Sequence, residues 1–396
     1  MKNVNIEKNN LITYFMLFII FAPSILSRYP LLDTISSLLQ NCVLVFFIFK
    51  IFGSKIFKLS SLEKRGIIYF SIYIASTFLN KGEMSRVIID SAKIILACML
   101  LYRLNEKYKD CFLHILKNVL SVYIFINFLS LIFIPNGIYF SFVKQNEWYS
   151  QIVRWWVLGG KNTMIFYLIP TNVLCQYFIV NNSKGKKMNL FMIFITILTP
   201  LLAKSSTSTI TIMVVSLFTF FRKYLLLLKK KTIIKGIVVL YIILSVMLLT
   251  NSTQKFDFLA GIFGKDLTFT GRVGVWEQAK DLIKLKPILG YGYLSSTYQQ
   301  TLFGSVSYVN CHNSLLEILL NGGIVLLFAM INIIKLIIQK MKKIDKHKFI
   351  LIALTLLSLA IESSFEAFAS SKLFWLILFI IFFMCVNDTY EQNSEV

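Results

Sequence analysis

Long apolar runs alternate with short polar segments along almost the whole chain. Twelve runs centre on residues 11–27, 35–52, 67–80, 87–102, 112–134, 163–180, 190–203, 208–228, 233–250, 313–338, 349–362 and 373–388. A helix of about 20 residues covers the ~30 Å hydrocarbon core of a bilayer. The pattern therefore predicts an all-α polytopic membrane protein of about twelve transmembrane helices, with residues 1–396 forming a single integral membrane domain.

One long polar interval, residues 251–312, interrupts this pattern before the tenth run. Within it Trp276, Ala279 and Leu282 recur at helical spacing, and polar residues fill the other face. We therefore expect an amphipathic helix that begins near Thr270 and ends before Pro287. Such a helix either lies in the membrane interface or packs the loop against the protein.

The charge of the chain predicts its orientation. The net charge is +22, from 41 Lys and Arg against 19 Asp and Glu. With the N-terminus inside, 25 Lys and Arg fall on the inner side of the twelve runs and 14 on the outer side. This excess is the bias that orients membrane proteins, so it does not indicate nucleic-acid binding. We expect a multi-pass protein of a bacterial cytoplasmic membrane, with both termini in the cytoplasm and the long loop outside.

Several common chemistries lack their sequence motifs. The chain contains no GxxxxGK[ST] phosphate-binding loop and no Asp-x-Asp pair, which disfavours direct use of ATP and a metal-bound nucleotide sugar. The six cysteines include no CxxC pair, so a zinc site and a disulfide framework are not expected. We expect no cofactor and no metal, and a substrate that brings its own activation.

His312 is the candidate general base. The chain has three histidines, and His312 alone falls in the predicted outer loop, where an unperturbed imidazole suits proton transfer at neutral pH. Asn313 and Glu317 are four residues apart on the next predicted helix, and either could orient a bound hydroxyl. The alternative is that His312 and Asn313 only cap that helix.

Arg272 is the candidate anion ligand, because it is the one arginine of the long loop and precedes a predicted helix start. Arg154 and Lys161 could add positive charge from the outer segment 135–162, whose aromatic residues, Trp148 and Tyr149 among them, are expected at the membrane surface. The alternative for each cation is contact with lipid headgroups. Two carboxylates, Glu362 and Glu366, lie four residues apart at the outer end of the eleventh run and could line a polar cavity.

Four segments resemble a known family. TGRVGVW at 270–276, PILGYGY at 287–293 and HNSLLEILLNGG at 312–323, together with GGKNTM at 159–164, resemble the signature of the O-antigen ligase and O-antigen or capsule polymerase (Wzy-type) superfamily. The resemblance implies about twelve helices with one long outer loop. It also implies a metal-independent, inverting glycosyltransferase that uses a polyprenyl-pyrophosphate-linked donor.

The resemblance assigns roles to particular residues. Arg272 matches the arginine that holds the donor pyrophosphate, and His312 matches the histidine that activates the acceptor hydroxyl. Tyr291 and Tyr293 of the PILGYGY segment are further substrate-binding candidates. The chain departs from the family where a second arginine is common, since that region reads AKSSTSTI at 203–210 and Lys204 is the nearest cation.

The sequence thus predicts a polymerase of surface-polysaccharide repeat units acting outside the cytoplasmic membrane. Two alternatives stay open: a ligase that moves glycan onto a lipid or protein acceptor, and a flippase or other transporter of lipid-linked oligosaccharide. Expected partners are the lipid-linked oligosaccharide, membrane lipid, a flippase and a chain-length regulator, but no nucleic acid.

Overall fold

The computed structural model describes residues 2–52, 58–144, 150–181, 185–249, 272–304 and 310–394. Within these ranges the chain forms fourteen α-helices, a 3-10 helix at Ser24–Arg28 and three short strands. The α-helices are α1 (Lys2–Ile20), α2 (Pro30–Phe52), α3 (Ser61–Leu79), α4 (Met84–Tyr108), α5 (Asp110–Phe133), α6 (Ile165–Val180), α7 (Lys186–Leu202), α8 (Ser206–Leu225), α9 (Lys230–Leu249), α10 (Arg272–Leu285), α11 (Ser296–Leu302), α12 (Ser314–Met341), α13 (Lys346–Ser363) and α14 (Lys372–Ser394).

Each of the twelve apolar runs coincides with one helix, from α1 to α9 and from α12 to α14. Among the described residues, four helical stretches are long and apolar enough to cross a membrane: Pro30–Phe49, Cys111–Phe133, Ser206–Leu225 and Ser314–Met341. Two shorter apolar helices are Leu11–Ile20 and Ile165–Val180. The helical membrane character is confirmed, and the number of twelve crossings stays a prediction.

The centre of the bundle is formed by α6, α13 and α14. Nearly every residue of α6 is buried, and α14 contributes the large buried side chains of Trp375, Phe379 and Phe383. Helix α13 packs against α6, α8 and α9, and α12 packs against α3. Large apolar side chains such as Phe49 on α2 and Ile242 on α9 stay exposed, as expected for surfaces that face lipid.

The aromatic outer segment contains a small sheet that the all-α prediction missed. Strands β1 (Tyr139–Lys144), β2 (Ser150–Trp156) and β3 (Gly159–Gly160) pair antiparallel in that order. Both longer strands are rich in aromatic and β-branched residues, which favour strands. Trp156 is buried, and its indole Nε1–H donates to Ile134 O at 3.0 Å. Trp148 and Tyr149, which we expected at the membrane surface, lie outside the described residues.

Helix α12 is interrupted in its first half at Gly322 and Gly323, whose backbone angles are not helical. The PILGYGY segment occupies the interruption. Tyr291 N–H donates to Leu320 O at 2.6 Å, and Ile324 N–H donates to Pro287 O at 2.9 Å. Main-chain groups that the break removes from the helix ladder are thus satisfied by the loop.

Glycine is required on both sides of this junction. Gly290 has φ +61°, and a Cβ there would lie 2.3 Å from Leu320 O. Gly323 has φ +59°, and a Cβ there would lie 2.2 Å from Ile288 O. Both the positive φ and the close main-chain approach exclude a side chain. The glycines of PILGYGY and of LLNGG therefore belong to one structural unit, which we call the glycine junction (residues 287–292 and 320–325).

The end of α3 holds the glycine junction in place. Ser76 Oγ donates to Leu289 O and, at 2.9 Å, to Asn321 O, so one hydroxyl contacts both halves of the junction. Asn80 Nδ2 donates to Gly290 O at 3.0 Å. The long loop is therefore fixed to the helix bundle at this point.

The amphipathic helix of the loop is confirmed as α10, which ends at Leu285 before Pro287. Val275, Trp276 and Ala279 are buried, whereas Asp281 and Lys284 are exposed. The buried face packs against α12, and Trp276 Nε1–H donates to Cys311 O at 2.9 Å. Packing of the loop against the protein is therefore the role that these contacts support. Thr270, the expected first cap, lies outside the described residues.

Candidate functional site

Five segments that are distant in sequence meet in one hydrogen-bonded group, which we call the Glu366 cluster. Its members are Asn162 before α6, Ser205 before α8, Arg272 at the start of α10, His312 before α12 and Glu366 between α13 and α14. All five lie at the end of the bundle where α8 and α12 begin and α13 ends. The structure thus brings Arg272 and His312, the two principal candidates, to opposite oxygens of one carboxylate.

Arg272 is held by two acceptors. Its Nη2 lies 2.8 Å from Glu366 Oε1, and its Nη1 donates to Phe365 O at 2.5 Å. The side chain is 12% exposed. A guanidinium has five N–H donors, so these two contacts leave donors for a further anion. The arrangement fits a phosphate ligand held in a fixed direction.

His312 has an uncommon backbone conformation. Its φ is +45°, in the left-handed region that residues other than glycine seldom adopt. Its N–H donates to Asn310 Oδ1 at 2.8 Å, which holds this turn. The ring Nδ1 lies 3.3 Å from Glu366 Oε2, and 37% of the side chain is exposed. The turn therefore directs one ring nitrogen to a carboxylate while part of the ring stays accessible.

Glu366 is ionised in this setting. Burial alone would raise the pKa of its carboxyl group, but the hydrogen bond with His312, the charges of Arg272 and His312 and the hydrogen bond from Asn162 outweigh burial and lower the pKa to about 2. At neutral pH the side chain is thus a carboxylate that only accepts hydrogen bonds.

Asn162 joins two further segments to the cluster. Its Nδ2 donates to Glu366 Oε1 at 2.8 Å, and its Oδ1 accepts from Ser205 Oγ at 2.9 Å. Lys161 and Lys204 are the chain neighbours of Asn162 and Ser205, and both lysines are exposed. The structure therefore brings these two candidate cations near the cluster through their neighbours.

Asn313 and Glu317 lie on the first turns of α12. Asn313 is its N-cap: the Oδ1 accepts from the N–H groups of Leu315 and Leu316, while the Nδ2 donates to Ser364 O at 3.1 Å. These contacts match the capping alternative, and a catalytic role for Asn313 stays a prediction. Glu317 Oε2 is buried without a hydrogen-bond partner among the described residues, and its Oε1 lies 3.5 Å from Ser370 Oγ.

Arg154, Tyr291 and Tyr293 make their contacts elsewhere. Arg154 is exposed on β2, opposite Phe140. Tyr291 O–H donates to Leu282 O at 3.0 Å, which fastens the PILGYGY segment to α10. Tyr293 N–H donates to Thr77 Oγ1 at 2.8 Å. Their roles in substrate binding stay predictions, and the contacts of both tyrosines give them a part in packing the loop.

The sequence does not reveal the connecting position of Glu366. In the sequence this residue is only one of two carboxylates that could line a cavity, and Asn162 is only part of the GGKNTM motif. Neither residue has a local pattern that points to His312, because the contacts join residues 54 and 204 positions apart. The sequence feature that points to Glu366 is its position just beyond the end of a predicted span. A charged side chain near the membrane costs free energy there, and it often has a function.

The family comparison matches the region that carries both principal candidates. The model of the O-antigen ligase family matches residues 191–331. This confirms the resemblance to the O-antigen ligase and polymerase superfamily. The region matched by the O-antigen ligase family runs from α7 to α12, so it contains Ser205, Arg272 and His312 and excludes Asn162 and Glu366.

One curated relative gives a second similarity. The chain is 29% identical over 79 residues to the exopolysaccharide production protein ExoQ of Rhizobium meliloti (strain 1021). The similarity covers 17% of this chain and 18% of ExoQ, so the chain spans less than a fifth of the relative that it matches. The two matches are thus to an O-antigen ligase family and to an exopolysaccharide production protein.

Proposed function

We propose that this protein polymerises repeat units of a surface polysaccharide, such as an O-antigen or a capsule. It transfers glycan from a polyprenyl-pyrophosphate-linked donor to a sugar hydroxyl of an acceptor, outside the cytoplasmic membrane. The observation that carries the proposal is the meeting of Arg272 and His312 on one carboxylate, with 2.8 Å and 3.3 Å separations. A phosphate ligand and a proton acceptor are the two groups that this reaction needs.

The step balances without a further reactant. Arg272 binds the pyrophosphate of the donor, and His312 Nε2 takes the proton of the acceptor hydroxyl. The acceptor oxygen then attacks the anomeric carbon from the face opposite the leaving group. A new C–O bond forms, the bond between the anomeric carbon and the phosphate oxygen breaks, and its electron pair leaves with the polyprenyl pyrophosphate. The configuration at the anomeric carbon inverts.

Lys161 and Lys204 supply additional positive charge in this proposal. Both are exposed and adjacent in sequence to members of the Glu366 cluster, so we expect either to contact an anion at its edge. In this proposal Lys204, rather than Arg154, stands where the resemblance leads us to expect a second arginine. A lysine is a point charge without the bidentate fork of a guanidinium, so we assign the principal pyrophosphate contact to Arg272.

Ligation of finished glycan to a lipid or protein is the second candidate within the class, since the same two groups serve both reactions. A flippase or transporter is the candidate of a different class. The Glu366 cluster favours the enzyme, because a transporter does not require a base next to a phosphate ligand. In the proposed setting the glycine junction and the Glu366 cluster face outward, and a flippase and a chain-length regulator act before and alongside the polymerase.

The test is turnover by purified protein in detergent or nanodiscs with polyprenyl-pyrophosphate-linked repeat units. A polymerase gives a ladder of lipid-linked products, whereas a ligase gives one transfer to a separate acceptor. His312→Ala should lose about 10²–10⁴-fold in rate while staying folded. His114→Ala is the matched control, because His114 is exposed on α5 and contacts Asn118 and Phe178. A folded His312→Ala protein with normal product lengths would exclude the role of His312 and make Glu317 the next candidate base.

A further inference from the structure

The two oxygen atoms of the Glu366 carboxylate contact different partners, Arg272 on one side and His312 on the other. Oε1 accepts from Arg272 Nη2 and Asn162 Nδ2, both at 2.8 Å, and Oε2 faces His312 Nδ1 at 3.3 Å. The side chain is 13% exposed. The oxygen that faces His312 is thus distinct from the oxygen that carries the arginine and the asparagine.

The charge state of Glu366 decides the direction of the hydrogen bond to His312. The hydrogen bond with His312, the charge of Arg272 and the hydrogen bond from Asn162 lower the pKa of the carboxyl group despite burial, so it has no proton to give at neutral pH. His312 Nδ1 is therefore the donor. Neutral imidazole carries one N–H, so Nε2 is left with a free lone pair.

The backbone of the Glu366 segment is fixed by the residues next to His312. Ser314 Oγ donates to Glu366 O at 2.7 Å, and Asn313 Nδ2 donates to Ser364 O at 3.1 Å. Arg272 Nη1 donates to Phe365 O at 2.5 Å. Asn313 and Ser314, which follow His312 in the chain, therefore hold the segment that carries Glu366, the carboxylate that faces His312.

We propose that Glu366 is a positioning residue that fixes the tautomer of His312, with the proton on Nδ1 and Nε2 free to accept the proton of the acceptor hydroxyl. Through Oε1 it also sets the direction of Arg272, so one carboxylate aligns the base with the phosphate ligand. The inference rests on the proposed function, because it takes His312 as the base. Its structural part, the tautomer, can be measured without any substrate.

Glu366→Gln is the informative change. The amide oxygen still accepts from Arg272 and Asn162, which leaves the amide nitrogen facing His312 Nδ1. That nitrogen only donates, so Nδ1 must become the acceptor and the proton moves to Nε2. The imidazole then cannot take a proton at Nε2. A Ser-His-Asp triad in which asparagine replaces the aspartate loses about 10⁴-fold by the same change of tautomer.

The direct readout is nitrogen NMR of histidine-labelled protein at a pH where His312 is neutral. The chain has three histidines, so subtracting the spectrum of His312→Ala identifies the two His312 signals. We expect a protonated Nδ1 and an unprotonated Nε2 in the parent, and the reverse in Glu366→Gln. Glu362→Gln is the matched control. Glu362 lies one helical turn before Glu366 and accepts from Thr211 Oγ1, so this substitution should leave the His312 signals unchanged.

The kinetic readout uses the turnover assay. We expect Glu366→Gln to lower kcat by about 10²–10⁴-fold, and Glu366→Asp, which keeps the charge, to recover part of that loss. Glu366→Gln combined with His312→Ala should be about as slow as His312→Ala alone, because the amide oxygen keeps the contact with Arg272 and the effect that is lost acts through the histidine.

An unchanged tautomer in folded Glu366→Gln protein would overturn the inference, as would a double variant far slower than His312→Ala. If Glu366→Gln does not fold, the parent spectrum and Glu366→Asp decide: a parent with the proton on Nε2 overturns the inference. A changed tautomer combined with normal turnover by His312→Ala would instead overturn the proposed function and leave the positioning contact intact.

Discussion

Asn162 and Glu366 are 204 residues apart in the chain, and the Asn162 amide donates to the Glu366 carboxylate at 2.8 Å. This contact brings the turn before α6 to the segment between α13 and α14. Ser205 extends it to the start of α8 through its own 2.9 Å hydrogen bond to Asn162. The region matched by the family, which begins at residue 191, therefore depends on residues on both sides of it for a complete cluster.

Replacement of Arg272 should weaken donor binding. Arg272→Ala removes the charged hydrogen bonds expected with pyrophosphate, about 1.5–3 kcal/mol, which corresponds to a roughly 10- to 150-fold higher Kd. Arg272→Lys keeps the charge and loses the fork, so an intermediate Kd is expected. The measurement is equilibrium binding of polyprenyl pyrophosphate to purified protein, with Lys187→Ala, an exposed lysine in the first turn of α7, as the control. Equal Kd values for the parent and a folded Arg272→Ala protein would place the phosphate ligand elsewhere.

Lys204 should tolerate conversion to arginine, the residue that the resemblance leads us to expect in this region. Lys204→Arg should lower the donor KM, because a guanidinium binds phosphate through two parallel hydrogen bonds. Lys204→Ala should raise it only modestly, by a contribution of about 1 kcal/mol or less, because the side chain is exposed.

Steady-state kinetics with the lipid-linked donor measures both changes at Lys204. Lys187→Ala, an exposed lysine in the first turn of α7, is the control and should not change the KM. A donor KM that is the same for alanine, lysine and arginine at position 204 would exclude this residue from the phosphate site.

The glycine junction should be intolerant of side chains. Gly323→Ala forces a Cβ to 2.2 Å from Ile288 O in a left-handed conformation, which costs about 1–3 kcal/mol from backbone strain before the clash is counted. The Tm of the Gly323→Ala protein in detergent should therefore be lower than the Tm of the parent. Gly236→Ala is the matched control, because Gly236 lies in α9 with open space around its Cα. That change should leave Tm unchanged or raise it, as alanine is the better helix former. Equal effects of the two substitutions would show that the junction contributes nothing to stability.

The loss of stability in acid should depend on Glu366. Its folded-state pKa, about 2, lies below the ordinary value of about 4.5. The carboxylate therefore contributes stability that is complete above about pH 4.5 and is lost as the pH falls towards 2. At about 1.4 kcal/mol per unit, the contribution is of the order of 3 kcal/mol.

Thermal unfolding between pH 6 and pH 3 measures this contribution. The Tm of the parent should fall more steeply than the Tm of Glu366→Gln, whose amide does not titrate. Parallel curves for the two proteins would mean that the ion pair with Arg272 does not stabilise the fold.

The long loop should face outward. In a background without the six native cysteines, Thr301→Cys should react with an impermeant thiol reagent in intact cells and Lys342→Cys should not. Both positions are exposed, and both should react after the membrane is dissolved, which controls for accessibility. Labelling of Lys342→Cys alone in intact cells would invert the orientation.

The parts of this molecule that the sequence predicted are those with a local cause. Continuous apolar runs predict helices wherever they occur, and the periodicity of Trp276 and Ala279 predicts the buried face of α10. The break in α12 escaped prediction because the apolar run continues through Gly322 and Gly323. The sheet at residues 139–160 escaped because its aromatic residues were interpreted as membrane-surface anchors. The connection of Arg272 to His312 through Glu366 depends on how α10, α12 and the segment after α13 pack, and no local pattern contains that information.

The main-chain hydrogen bonds between Pro287 and Ile324, and between Leu320 and Tyr291, join two segments that are synthesised one after the other. A helix inside a bilayer must satisfy its backbone groups within the protein, and α12 alone leaves those at its break without partners. The ribosome makes α3 and the PILGYGY segment before α12. When α12 is synthesised, the segments that hydrogen-bond to its break are therefore already present. The backbone groups at the break can be satisfied at once, without a segment that is made later.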